Sequence, residues 1–128
     1  MKILSEISVG ELLDKITILE IKRDKISDSK KLEIIDKEYM SLNNSLKQNL
    51  TINDEIKKLW EKLKEINVVL WNIEDSKRLA EKNKKFDEKF IELARNVYKF
   101  NDQRAEIKSK INHLTGSSIK EIKQYTKY

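Results

Sequence analysis

The side chains of this sequence best suited to hold a small molecule fall in two short runs. The first is Trp71, Glu74, Asp75 and Arg78; the second is Arg95, Tyr98, Asn101, Asp102 and Arg104. Arginine forks onto carboxylates and phosphates alike, and tryptophan and tyrosine give flat walls to a bound molecule. Three of the four arginines among the 27 basic residues lie in these runs, although the rest of the chain prefers lysine. Near the N-terminus, Asp14, Thr17 and Glu20 recur at helical spacing and offer carboxylates to an arginine. Together Asp14, Glu20, Trp71, Glu74, Asp75, Arg78, Arg95, Tyr98, Asn101, Asp102 and Arg104 form a candidate ligand site or polar network. No catalytic role is assigned to any of them.

Other chemistries drop out quickly. The chain has no cysteine, which removes disulfides, thiolate zinc sites and a cysteine nucleophile. Its one histidine, His113, reads as a surface residue near a helix end, not as a base. Helical pyrophosphohydrolases hold magnesium with Glu-x-x-Glu facing Glu-x-x-Asp, and only the second pattern occurs here, at Glu11/Asp14 and Glu33/Asp36. No metal and no cofactor are expected. No apolar run is long enough to span a bilayer, and Glu6 falls where a signal peptide would be apolar, so the expectation is cytoplasmic, without a membrane partner.

The net charge of +5 belongs to the later part of the chain: residues 1–50 carry nine basic and nine acidic residues, residues 51–128 eighteen and thirteen. The excess peaks at Lys77, Arg78, Lys82, Lys84 and Lys85, and again over Lys108, Lys110, Lys120, Lys123 and Lys127. No aromatic platform for stacking bases lies among these lysines. They read as a solvated helical face, and nucleic acid is the weakest of the partner readings.

The elements that must position these groups are helices. The chain has 128 residues, no proline, only two glycines and 38% charged residues, a composition hostile to tight hairpins and typical of long helices. Ser8-Val9-Gly10-Glu11 reads as a capping box, after an extended arm over residues 1–8. It opens a helix from about Val9 to Ile26, and Asp28-Ser29 breaks the chain before a second from about Lys30 to Asn49. Thr51-Ile52-Asn53-Asp54 starts a third helix in the manner of the first, running from about Asn53 to Lys82. A fourth runs from about Phe86 to Leu114, and Gly116 caps it before a short final helix or tail over 117–128.

The apolar stripes of the two long helices mirror each other. Ile56 with Leu114, Leu63 with Ile107, Leu70 with Phe100 and Ile73 with Val97 all total 170, as two antiparallel helices on a short turn require. The predicted fold is all-α: an antiparallel bundle of about four helices in one domain, 1–128, built on the hairpin of helices 53–82 and 86–114. Its heptad-like stripes resemble a coiled coil. This register sets Arg78 level with Glu92, Glu74 with Arg95 and Trp71 with Tyr98. It also places Arg104 in the seam beside Ile66. A charge there needs a carboxylate or an anion, and Asp14, Thr17 and Glu20 flank the first helix's apolar face.

The run from Ser8 to Lys22, SVGELLDKITILEIK, resembles the opening of a family of short bacterial helical proteins classed as a domain of unknown function. The likeness resumes at Leu70-Trp71, Ile73-Glu74-Asp75 and Arg78, then at Leu93-Ala94-Arg95, Val97-Tyr98, Asn101-Asp102 and Arg104-Ala105. It implies no activity, but it implies that these polar positions belong to the family's motif. The tail departs, with Glu121-Ile122-Lys123-Gln124-Tyr125 where the family has Glu-Glu-Lys-Ser-Tyr. The expected function is a non-catalytic protein-interaction or scaffold module, a homodimer or other homo-oligomer, or a binder of another protein. The alternative is a binding protein or small enzyme for an anionic metabolite, a sugar phosphate or a nucleotide.

Overall fold

The computed structural model describes residues 1–128 as four α-helices with no strand: α1 (Val9–Lys25), α2 (Ser29–Asn49), α3 (Asp54–Lys82) and α4 (Glu88–Thr115). Each start is set by one side chain that accepts an otherwise unpaired amide. Ser8 Oγ accepts the Glu11 N–H at 3.1 Å. The expected return bond from Glu11 is missing, because its carboxylate turns to Lys108 Nζ at 2.7 Å. Asp28 ends one helix and starts the next, its carboxylate accepting the Lys30 and Lys31 amides.

Two starts differ from the sequence expectation. Asn53, not Thr51, caps α3 by accepting the Ile56 N–H. The fourth helix begins after Asp87, which accepts the Phe90 N–H, so Phe86 stays in the turn beside Lys84 with its positive φ of 53°. Gly116 closes α4 at φ 63°, a conformation that costs glycine little. Ser8→Ala should destabilise the protein by about 1 kcal/mol, read as a lower urea midpoint at unchanged slope.

The hairpin of α3 and α4 carries most of the expected stripes into the core, but Leu114, the expected partner of Ile56 at the end of α4, stays exposed. Ile56, Leu63, Ile66, Ile107 and Ile111 are buried together with Leu13 and Ile16 of α1 and Leu46 of α2. Helix α1 lies in the groove of the hairpin, antiparallel to α4, whereas the backbone of α2 approaches only α1. The expectation that the first two helices jointly cover the hairpin holds. Helix α1 lies close in backbone, and α2 reaches the hairpin's core through side chains, with Leu46 in the same buried cluster as Ile56 and Leu63. Only Ile35 and Leu46 of α2 are buried, with Tyr39 and Leu42 half-buried against the core, so α2 covers the bundle with a narrow stripe. Arg23 clamps the α1–α2 pair, at 2.8 Å from Asp36 and with its guanidinium 4.4 Å from the centre of the Tyr39 ring.

Beyond Gly116 no further helix forms. Ser117 Oγ accepts the Val9 N–H at 3.3 Å and donates to the Ile119 carbonyl, tying the tail to the start of α1. The tail then runs back along α4, where Glu121 reaches Lys108. At its end the Tyr128 ring meets that of Tyr98 edge-on at 5.0 Å, and its hydroxyl donates to Asp102 at 2.6 Å.

Candidate functional site

Asp14 is the centre of the interior polar layer. It sits on α1 with no exposed surface, one turn into the helix and facing the hairpin seam. Arg104 of α4 meets it with two hydrogen bonds, Nε to Oδ1 at 3.0 Å and Nη2 to Oδ2. Asn67 of α3 spends both amide protons here, one on Asp14 Oδ1 at 2.8 Å and one on Thr17 Oγ1 at 2.7 Å. Thr17 in turn donates to the Asp14 carbonyl. Lys108, one turn after Arg104, lies 3.7 Å from Asp14 Oδ2 and closer to Glu11. No enclosed side-chain nitrogen or oxygen is left without a partner. The seam arginine thus has the carboxylate that its position demanded.

The charges of this layer are fixed. Burial alone would raise the Asp14 carboxyl, but the hydrogen bonds from Arg104 and Asn67 and the charges of Arg104 and Lys108 hold it below the usual aspartate range. The Asp14 hydrogen bonds raise Arg104, and they outweigh its burial. Burial pulls the Lys108 ammonium down, yet Glu11, Asp14 and Glu121 together raise it. No member is poised to exchange a proton near neutral pH. The layer joins α1 to both helices of the hairpin, Asp14 to Asn67 of α3 and to Arg104 of α4.

Beside this layer a cleft of about 460 Å³ opens between the second half of α1 and the hairpin. Asn67 and Arg104 line its floor, Ile18, Ile21, Leu70 and Trp71 its walls, and Glu74, Asp75 and Arg78 its rim. Glu74 pairs with Lys77 in its own helix at 3.3 Å. The Arg78 guanidinium is exposed and has no carboxylate within 4.0 Å.

The other expected members lie elsewhere. Glu20 pairs with Lys64 at 2.6 Å, away from Arg104. Arg95 is exposed without an ion partner. Tyr98, Asn101 and Asp102 border a second concavity, of about 1060 Å³, that the tail partly fills with Tyr125 and Tyr128. Asn101 keeps only a long contact to Arg104, 3.4 Å. Residues level with each other across the seam, such as Trp71 and Tyr98, leave the hairpin on different sides, one toward α1 and one toward the tail. No group of three or more His, Cys, Asp or Glu converges as metal ligands, and no helix is long and apolar enough to cross a membrane.

The profile of a family of unknown function, DUF6165, matches residues 1–128. The chain belongs to that family. No curated protein and no solved structure matches it. DUF6165 brings no activity with it, so the chemistry of the site rests on the side chains themselves. Outside the eleven expected members, Asn67, Ile18 and Ile21 of this DUF6165 chain also border the site, Thr17 joins it beside Asp14 as expected, and Lys108, expected on a solvated face, is buried in it. One signal for Lys108 was available: Asn101, Arg104, Lys108 and Asn112 recur at three and four residues, a polar row on one side of α4.

Proposed function

We propose that this cytoplasmic bacterial protein is a non-catalytic interaction module that pairs with a second copy of itself through the free end of the α3–α4 hairpin. The supporting observation is the apolar surface there. Leu79, Phe86 and Ile91 are 57%, 51% and 54% exposed, and Phe86 packs edge-on against Phe90 at 5.2 Å. Large apolar side chains gathered on a charged surface mark contact sites. Charge favours a like partner. Residues 78–92, the levels from Arg78 and Glu92 to the turn, hold five basic and four acidic residues, a nearly balanced patch on a chain of net charge +5. The small positive surplus gives an acidic protein or a nucleic acid little net attraction at this end, and Lys84 is engaged by Glu81.

Light scattering after gel filtration tests the pairing. The native protein is expected to show a mass that rises with concentration toward twice the 15.2 kDa of the chain, and Phe86→Ser with Ile91→Ser to remain monomeric. A native protein that stays at the monomer mass throughout would refute it. The open cleft beside Trp71 favours a small-molecule role alongside. It does not need the hairpin end.

A further inference from the structure

The cleft between α1 and the hairpin has the position expected for a binder of an anionic metabolite, but not the charge. Its ionisable lining is Glu74 and Asp75 against Arg78 and Arg104. Arg104 is already neutralised by Asp14, and Glu74 is met by Lys77. What remains uncompensated is one charge of each sign, Asp75 and Arg78, three residues apart on α3 and so on neighbouring positions of one helix face. A dianionic phosphate would find one free guanidinium there and two carboxylates. A ligand carrying one positive and one negative group finds a partner for each.

Asn67 adds an independent observation. The residue is only 4% exposed, and both of its amide protons are spent on Asp14 and Thr17. Its Oδ1 accepts no hydrogen bond from the protein, yet the residue borders the cleft. That oxygen is not enclosed, so it faces the cleft's solvent and is open to a donor there without requiring one. The remaining walls, Ile18, Ile21, Leu70 and Trp71, are apolar and half-buried or buried. The volume of about 460 Å³ lies within the range of small-molecule sites.

We propose that this cleft binds a zwitterionic amino acid with an apolar or aromatic side chain. Its carboxylate lies on Arg78, its ammonium on Asp75 one helical turn away, and its side chain against Trp71 and Leu70. The proposal rests on the small-molecule reading of the cleft and is independent of self-association.

Isothermal titration with phenylalanine and leucine tests it, with N-acetylphenylalanine, phenylalanine amide and glucose 6-phosphate as comparison ligands. Phenylalanine is expected to bind saturably. The acetylated and amidated forms, each missing one charge, should bind about tenfold more weakly. Arg78→Gln and Asp75→Asn should each weaken phenylalanine binding about tenfold. Both residues are exposed, so an unchanged melting temperature shows that the variants are folded. Asp75→Asn should leave the already weak acetylated ligand unaffected, a selectivity that general loss of structure would not give. Binding of glucose 6-phosphate without either amino acid overturns the zwitterion while keeping the small-molecule reading. Absence of saturable heat with every ligand at millimolar concentration overturns both, and amino-acid binding indifferent to both substitutions overturns the site.

Discussion

Arg104→Met should lower the stability of the fold by about 3–5 kcal/mol near neutral pH, the largest loss expected from any one substitution in the polar layer. The methionine fills the volume of the arginine stem but leaves Asp14 with no exposed surface and without its bidentate partner. Lys108 at 3.7 Å is too far, and too engaged with Glu11, to replace it. Replacing Asp14 by leucine in the same chain removes the stranded charge and should recover part of the loss.

The pH dependence carries the sign of this argument. In the native protein Asp14 titrates below its unfolded value, so it contributes stability above that value, and the contribution is lost as pH falls through the lower folded one. In Arg104→Met the main depressing influence is gone and burial remains. Protonating Asp14 then relieves the fold, and the gap between variant and native protein should narrow on going from about pH 7 to about pH 4. Urea midpoints at the two pH values measure it; a gap that widens would contradict the assigned role of Asp14.

Gly10→Ala is the second large effect. Alanine is the better helix former, so propensity alone predicts a gain. The structure predicts a loss. A Cβ at this position would lie 2.7 Å from the Lys108 carbonyl oxygen and 2.9 Å from Asn112 Oδ1, which accepts the Gly10 N–H. The first obstacle is helix backbone and cannot turn aside, so α1 must withdraw from α4 at the end where Ser117 and Asn112 tie them. A loss of about 1–3 kcal/mol is expected, toward the upper end because Ser8 and Lys108 are also buried there. A urea midpoint equal to or above the native one would show that α1 and α4 are not in this close contact.

The hairpin was legible because the apolar residues of α3 and α4 repeat so regularly that two stripes fix both length and pairing. The buried partner of Arg104 was legible for a different reason: a charge in a seam cannot stand alone, and few carboxylates lay within reach. What the pattern could not give was direction around the helix. Trp71 and Tyr98 share a level but not a side, and Glu20 has a lysine of α3 closer than Arg104. The place of α2 was ambiguous too, since a narrow stripe packs equally well on one helix or against a hairpin. Nor does cap chemistry choose between Thr51 and Asn53, both good caps, until the chain's path into α3 is set. The tail held no periodicity at all, and single contacts of Ser117, Glu121 and Tyr128 decide its course.

Self-association through the hairpin end is tested most directly by the urea midpoint measured over a hundredfold range of chain concentration. A contact made only between folded copies raises the midpoint as concentration rises. The native protein is expected to show that rise. Phe86→Ser with Ile91→Ser is expected to show a flat midpoint matching the native value at the lowest concentration. A native midpoint that does not move with concentration would contradict the pairing.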